Sequence, residues 1–152
     1  MHGPHDIEKL RRLATRFRAA ILRTDPGEVD AEVRFIVADF PRGVCGAVCF
    51  LLGHYLMENG FPGAEYVNGI RGADRQSHAW IETDGMIVDI TADQFSEIAE
   101  GVIVTSERGW YEQFEQRPGR WPADFLIYGD SSPHGLAYAP IMKHLADGCG
   151  VA

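Results

Sequence analysis

The sequence HAWIETDGMIVD, residues 78–89, predicts a tight β-hairpin. Its central Asp84-Gly85 dipeptide separates two runs rich in β-branched and aromatic residues and is typical of a two-residue hairpin loop. The expected cross-strand pairs are Thr83 with Met86, Glu82 with Ile87, Trp80 with Asp89, and His78 with Thr91. Because side chains two residues apart share a face, His78 and Asp89 become diagonal neighbours, with Cβ atoms about 7 Å apart or slightly less. This separation suits a hydrogen bond between an imidazole and a carboxylate.

The two faces of the predicted hairpin differ in character. One face is uniformly apolar and should pack on a core; it carries Ala79, Ile81, Val88 and Ile90. The face of His78 is less apolar, yet it carries Trp80, whose large ring is seldom left fully in water. We therefore expect a half-covered cleft on this side. The alternative is an exposed hairpin face on which the histidine and the aspartate are neighbours without a function.

A second motif is a cysteine at the start of a predicted helix. The apolar pattern of residues 44–58 is helical, and the preceding segment Phe40-Pro41-Arg42-Gly43 breaks the chain direction. Cys45 falls in the first turn, where free N–H groups and the positive end of the helix dipole stabilise a thiolate. The same N–H groups could donate to an oxyanion beside the sulfur. Gly43 and Gly46 flank the cysteine and leave room for a substrate backbone.

The other two cysteines have no such setting. Cys49 lies one turn deeper on the apolar stripe of the same helix and is expected to be a buried core residue. Cys149 lies near the chain end and is expected in a frayed tail. Three cysteines are an odd number in a chain without a visible export signal, so we expect reduced thiols and a cytoplasmic location.

The rest of the chain predicts a single α+β domain over residues 1–152. Its N-terminal amphipathic segment, residues 6–25, has a helix from about Asp6 to Arg23, with Asp6 as N-cap, a solvated arginine face and a stop at Asp25-Pro26-Gly27. The other expected elements are a short strand or helical turn at 33–39, strands at 64–70, 78–83, 86–91, 101–105 and 125–128, a helical turn at 92–99, and helices at 110–116 and 136–146, the last broken near Pro140.

Charge and hydropathy exclude several partners. The formal net charge of −8 argues against a nucleic-acid backbone or an anionic membrane as the main partner, because both require clustered positive charge. The longest uncharged stretch has fifteen residues, 43–57, which is short of the roughly 18 that a membrane-spanning helix needs. Charged residues also interrupt any apolar signal segment near the N-terminus.

The combination of cysteine, histidine and acid suggests acyl transfer with a cysteine nucleophile. In these roles Cys45 attacks a carbonyl, His78 holds and returns the proton, and Asp89 orients the imidazole. The backbone N–H of Cys45 would be one oxyanion donor. Candidates for a second donor are a backbone amide near residues 40–43 and the side chain of Gln94.

Three segments carry a resemblance to a known family: FPRGVCG at 40–46, HAWIETDG at 78–85 and DITADQF at 89–95. Over residues 39–105 the chain resembles the transglutaminase-like branch of the papain-like cysteine protease superfamily, including small bacterial proteins of that type. HAWIETDG is also similar to a motif of the transglutaminase-like proteases that cut lasso-peptide precursors. The gap of eleven residues between the histidine and the aspartate is shorter than is usual in larger members.

The resemblance implies a fold and a set of roles. The fold is papain-like, with a central helix carrying the cysteine packed on an antiparallel sheet that carries the histidine and the aspartate. The resemblance implies Cys45 as nucleophile, His78 as base and Asp89 as third member. In small relatives a serine often stands at the position of Cys49, which also favours Cys45.

The expected function is cysteine-dependent acyl transfer on an amide or peptide bond, without a metal or an organic cofactor. Hydrolysis by a peptidase, amidase or glutamine deamidase is the first choice, and transfer to an amine is the alternative. The substrate would be a peptide, a protein or a small amide, held partly by Trp80.

Three rival interpretations remain at the sequence level. Four soft ligands, Cys45, Cys49, His54 and His78, could form a metal site, although this spacing is unusual for structural zinc. A non-catalytic module could use Trp80 and the cleft to hold a peptide. Finally, the chain could be a subunit that docks through the arginine face of its first helix.

Overall fold

The computed structural model describes residues 4–149 of the 152-residue chain, without the side chains of residues 4–5, 130–131 and 146–149. The fold is α+β, as predicted. Its helices are α1 (Pro4–Arg23), α2 (Phe35–Ala38), α3 (Cys45–Glu58) and α4 (Tyr138–Cys149). Its strands are β1 (Glu65–Arg71), β2 (Gln76–Thr83), β3 (Met86–Asp89), β4 (Ile103–Thr105), β5 (Glu115–Gln116) and β6 (Trp121–Pro122). Short 3-10 helices cover Pro26–Glu28, Ala92–Gln94, Tyr111–Gln113, Phe125–Ser131 and Pro133–Ala137.

All strand pairs are antiparallel, and the sheet order is β4-β3-β2-β1-β5, with β6 beside the start of β1. The β2–β3 hairpin has the predicted register. Its pairs are Thr83 with Met86, Glu82 with Ile87, and Ile81 with Val88. The loop residues Asp84 and Gly85 have φ values of 52° and 80°, the left-handed conformation that a type I′ hairpin loop requires at both positions.

One face of the sheet packs against the helices and forms the main core. α3 packs against β2 and β1 and also contacts α1, which in turn packs against α4. Leu51, Leu52 and Leu56 of α3 are fully buried with Ile81 of β2 and Ile90 just beyond β3. A helix buried on most of its surface needs apolar residues all round, which explains the composition of residues 44–58.

The opposite face of the hairpin is also buried, which corrects the expectation of a half-covered cleft. Trp80 is 0% exposed and His78 is 1% exposed. The chain after β3 returns across this face and covers it with an aromatic cluster formed by Phe95, Tyr111 and Phe114, which pack with Val67, Trp80 and Ile87 of the sheet. The alternative of an exposed hairpin face is wrong for the same reason.

The predicted element bounds hold to within two residues for the four strands from 64 to 105, but several other details differ. α1 begins at Pro4, so Asp6 lies in its first turn and is not the N-cap. Residues 35–38 of the ambiguous segment are helical, and the helical turn at 92–99 is limited to Ala92–Gln94.

The C-terminal third contains the larger errors. Residues 125–128 belong to a 3-10 helix and not to a strand, because Asp124 caps this segment by accepting a hydrogen bond from the backbone of Leu126. Only Tyr111–Gln113 of the predicted helix at 110–116 is helical. Pro140 does not break α4, because it lies in the first turn, where its missing N–H removes no helical hydrogen bond. The side chain of Cys149 lies outside the described residues.

Within residues 4–149, no helix combines the length and the apolar character that crossing a bilayer demands.

We predict that Gly53→Ala destabilises the protein, although alanine is the better helix former by about 1 kcal/mol. A Cβ atom on Gly53 would lie 1.7 Å from the carbonyl oxygen of Ala123, so α3 would have to move away from that backbone. Overpacking against backbone should lower the free energy of unfolding by about 2 kcal/mol or more, as measured by urea denaturation. The matched control is Gly63→Ala, whose new Cβ meets nothing within 4 Å. Equal stability of the two variants would contradict this close approach.

Candidate active site

Cys45 is the first residue of α3 and is half-buried. The chain reaches this point through Gly43, which has a φ of 70° and so needs the freedom of glycine, and through Val44 at the N-cap. Val44 provides no side-chain cap for the helix. The N–H groups of the first turn are therefore left for other acceptors close to the sulfur.

His78 and Asp89 form a buried pair across the hairpin. Nε2 of His78 lies 2.7 Å from Oδ2 of Asp89. A carboxylate only accepts hydrogen bonds, so Nε2 carries a proton and donates it to Asp89. The other ring nitrogen, Nδ1, lies 3.4 Å from the side-chain nitrogen of Gln94.

Asp89 is itself held in place by two further residues. The hydroxyl of Tyr111 donates to Oδ2 at 2.8 Å, and the backbone N–H of Thr91 donates to Oδ1 at 3.0 Å. Burial and the adjacent charge of Asp89 raise the pKa of Tyr111, so its hydroxyl remains a donor. These contacts fix the carboxylate, which in turn fixes the plane of the imidazole.

The charge state of His78 reflects both neighbours. Burial favours the neutral ring and would lower its pKa, but the hydrogen bonds and negative charges of Asp89 and Cys45 outweigh burial and raise the pKa of His78 to about 9. The ring is therefore an imidazolium at neutral pH. Four aromatic rings surround it with centroids 5.2–5.8 Å away, those of Trp80, Phe95, Trp110 and Phe114. This packing restricts rotation of the ring.

Cys45 and His78 line the same small cavity, whose volume is about 160 Å³. The structure thus brings together all three residues of the predicted triad, with Asp89 behind the ring. The remaining lining residues are Tyr66, Asn68, Ser77, Ala79 and Arg117. β1 delivers Tyr66 and Asn68 because it pairs with β2, placing Asn68 opposite Ala79.

Tyr66 is a site residue that the sequence motifs did not indicate. Its ring stacks on Phe50 at a centroid distance of 4.8 Å, and its hydroxyl lies 3.6 Å from where a Cβ on Gly46 would be. Burial is the main cause that raises the pKa of Tyr66 to about 12. The hydroxyl therefore remains protonated beside the first turn of α3.

The predicted oxyanion and substrate residues differ in how close to the cavity the structure places them. Gly43 and Gly46 flank Cys45, and a Cβ on Gly46 would meet the Tyr66 hydroxyl at an ordinary contact distance of 3.6 Å. Gln94 is half-buried, donates to the backbone oxygen of Thr91 and borders the neighbouring concavity. Trp80 does not line the cavity at Cys45, since it is fully buried and its Nε1 donates to Glu82 at 3.0 Å. A substrate contact for Trp80 is therefore not possible in this structure.

Glu82 explains why a tryptophan nitrogen can be buried there. Its carboxylate also accepts hydrogen bonds from Arg108 at 2.9 Å and Arg120 at 2.8 Å. Burial would raise the pKa of Glu82, but these donors together with Trp80 lower it, so the group remains charged. This network closes the loop end of the hairpin.

Cys49 is a core residue, as predicted, and is 5% exposed. Burial, followed by the charges of Cys45 and Asp89, raises the pKa of the Cys49 thiol well above its ordinary value. The thiol is therefore neutral and enclosed, which makes it a poor nucleophile.

The four residues of the metal interpretation do not form one site. His54 pairs with Asp124 at 3.0 Å and approaches Glu58 at 3.4 Å, at the other end of α3 from Cys45. Across the part of the chain that the structure describes, no three histidine, cysteine, aspartate or glutamate side chains converge in a way that could hold a metal ion.

Comparisons of the chain with models of protein families, with curated proteins and with solved structures gave no match.

We predict that Asp89→Asn lowers the titration midpoint of His78 from about 9 by at least one pH unit. The substitution removes the charge of Asp89 that favours the imidazolium, so that only Cys45 is left to oppose the effect of burial. An NMR pH titration of the histidine ring signals measures the shift. Asp84→Asn, in the exposed hairpin loop, is the charge-matched control and should leave the midpoint unchanged. A midpoint near 9 in both variants would show that Asp89 does not set the charge of the ring.

Proposed function

We propose that this protein is a cysteine-dependent acyl-transfer enzyme that cleaves an amide or peptide bond, with water as the acceptor. The observation that carries the proposal is the convergence of Cys45 and His78 on one cavity, with Asp89 hydrogen-bonded to the far side of the imidazole. A helix that presents a cysteine at its start, packed on an antiparallel sheet that carries histidine and aspartate, supports a transglutaminase-like variant of the papain-like fold.

The first half of the reaction forms a thioester. The sulfur of Cys45 attacks the carbonyl carbon, a C–S bond forms and the carbonyl electron pair moves onto oxygen. The resulting oxyanion accepts hydrogen bonds from the backbone N–H of Cys45 and from the hydroxyl of Tyr66. As the tetrahedral intermediate collapses, the C–N bond breaks and Nδ1 of His78 gives its proton to the leaving amine.

The second half releases the acyl group. His78, now neutral, takes a proton from water as the water oxygen attacks the thioester carbonyl. The C–S bond breaks, a carboxylic acid leaves, and the thiolate of Cys45 is restored beside the imidazolium. An amine in place of water would give the transfer reaction by the same steps.

Asp89 and Tyr111 are positioning residues in this scheme. Asp89 keeps a proton on Nε2, so that Nδ1 is the nitrogen that exchanges protons with sulfur and substrate. Tyr111 prevents the carboxylate from rotating away. The aromatic rings around His78 exclude water, which strengthens the interaction between the imidazolium and the carboxylate.

We predict that iodoacetamide modifies Cys45 at least tenfold faster than Cys49 at about pH 6.5, where a thiol of ordinary pKa is almost fully protonated. Cys45 lies at a helix start and shares its cavity with His78, a setting in which a cysteine reacts readily, whereas burial keeps the Cys49 thiol neutral. Peptide mapping by mass spectrometry gives the rate at each cysteine. His78→Gln should slow the reaction of Cys45 roughly tenfold or more, while His144→Gln, which removes a histidine paired with Glu28, should not.

The acyl-enzyme provides a second readout of the same proposal. With p-nitrophenyl acetate as the probe, an acetyl group should appear on Cys45 and then be lost to water, and Cys45→Ala should abolish this turnover. Added methylamine would yield N-methylacetamide if an amine is the better acceptor. Equal, slow alkylation of Cys45 and Cys49 in the wild-type protein, with no acetyl-enzyme, would overturn the proposed function.

We also predict that Tyr66→Phe slows acetylation of Cys45 about tenfold to a hundredfold, since one oxyanion donor is lost. It should leave alkylation by iodoacetamide unchanged, because displacement at a saturated carbon forms no oxyanion. Phenylalanine keeps the stack on Phe50, and Tyr138→Phe, which removes a hydroxyl bound to Glu58, is the control. If both reactions slow equally, Tyr66 acts on the sulfur and not on the oxyanion.

A further inference from the structure

The cavity at Cys45 adjoins two larger concavities and shares a lining residue with each. Arg117 lines both this cavity and a concavity of about 510 Å³, while Ser77 lines both this cavity and one of about 490 Å³. Arg71 lines the two larger concavities. These three adjoining concavities together form an arginine-lined depression, and the thiol lies in the smallest of them.

The charge of this depression is opposite to that of the chain. The protein has a formal net charge of −8, yet the three concavities are lined by Arg42, Arg71, Arg75 and Arg117. Within the described part of the chain, the lining includes only two carboxylates, those of Glu97 and Glu115. The depression is thus a basic surface on an acidic protein.

Most of this positive charge is not neutralised by the protein. Arg71 is paired with Glu97 and covers the rings of Phe95 and Phe114, so it serves the fold. Among the described residues, Arg42, Arg75 and Arg117 form no ion pair with a carboxylate. All three are exposed. Among the described lining residues, three guanidinium groups and one carboxylate, that of Glu115, are therefore unpaired.

We propose that the substrate is an acidic peptide segment, in which carboxylates flank the bond that Cys45 attacks and bind Arg117 and Arg75 on one side and Arg42 on the other. The proposal rests on the proposed function of Cys45. A guanidinium group matches a carboxylate with two parallel hydrogen bonds, and a depression of one charge sign raises the local concentration of oppositely charged ligands. The two larger concavities that adjoin the small cavity favour a peptide chain over a small amide.

The first test compares two alkylating agents that differ in charge, iodoacetate and iodoacetamide. Their rate ratio at Cys45 is measured by peptide mapping at low ionic strength, where charge effects are least screened. In the triple variant Arg42→Gln, Arg75→Gln, Arg117→Gln, the iodoacetate-to-iodoacetamide ratio should fall roughly tenfold. His78 contributes equally in both proteins, so its charge cancels from the comparison.

The control removes the same charge from elsewhere. Arg12, Arg16 and Arg23 of α1 line none of the three concavities, and the triple glutamine variant at these positions should keep the wild-type ratio within about twofold. An equal fall in both triple variants would mean that net charge alone matters, which would overturn the acidic-peptide proposal.

The second test uses peptides of equal length with a chloroacetamide group at the centre, flanked by glutamate, glutamine or lysine. The wild-type protein should react fastest with the glutamate peptide and slowest with the lysine peptide, by roughly tenfold overall, and the variant without Arg42, Arg75 and Arg117 should lose this order. Rapid alkylation of Cys45 without any charge preference would overturn the substrate class and leave the proposed function intact. Slow alkylation of Cys45 by every reagent would overturn the proposed function and the substrate class with it.

Discussion

The arrangement of the site depends on one buried hydrogen bond, between the imidazole of His78 and the carboxylate of Asp89. Burying two ionisable groups costs several kcal/mol for each unless they are paired and their other hydrogen-bonding atoms are satisfied. Tyr111 and Thr91 provide the remaining partners of the carboxylate. The pair also requires one strand register, because a shift by a single residue would place the two side chains on opposite faces of the sheet.

The register also determines where a nucleophile can reach the ring. α3 packs on the sheet face of Ala79 and Ile81, whereas the aromatic cluster encloses the face of His78. A cysteine in the middle of α3 would be sealed in the main core, as Cys49 is. At the start of the helix, Cys45 instead shares a cavity with Ala79 from one face and His78 from the other. The beginning of α3 is thus where the two layers meet and where solvent can enter.

Local patterns were sufficient to predict the hairpin, its register, the start of the cysteine helix and the three residues that converge. Local patterns did not predict the residues that reach the site from segments distant in the sequence. Tyr66 and Arg117 reach the cavity through the pairing of β1 with its neighbours, and Tyr111 reaches Asp89 from a 3-10 segment that the sequence predicted as part of a longer helix at 110–116. The same segment helps to bury Trp80. The chain between residues 95 and 114 covers the hairpin through tertiary contacts, which the hairpin sequence itself does not encode.

Charge balance links the depression to the chemistry. With its thiolate formed, the site carries two negative groups, Cys45 and Asp89, and one positive group, His78, so it is anionic within an acidic protein. Such a site would repel an acidic ligand unless cations lay nearby. An arginine bound to a carboxylate of the protein, as Arg71 is to Glu97, adds little to the attraction, because its charge is already compensated. Only unpaired arginines at the rim can offset the charge of the site. Among the described residues, Arg42, Arg75 and Arg117 are such arginines.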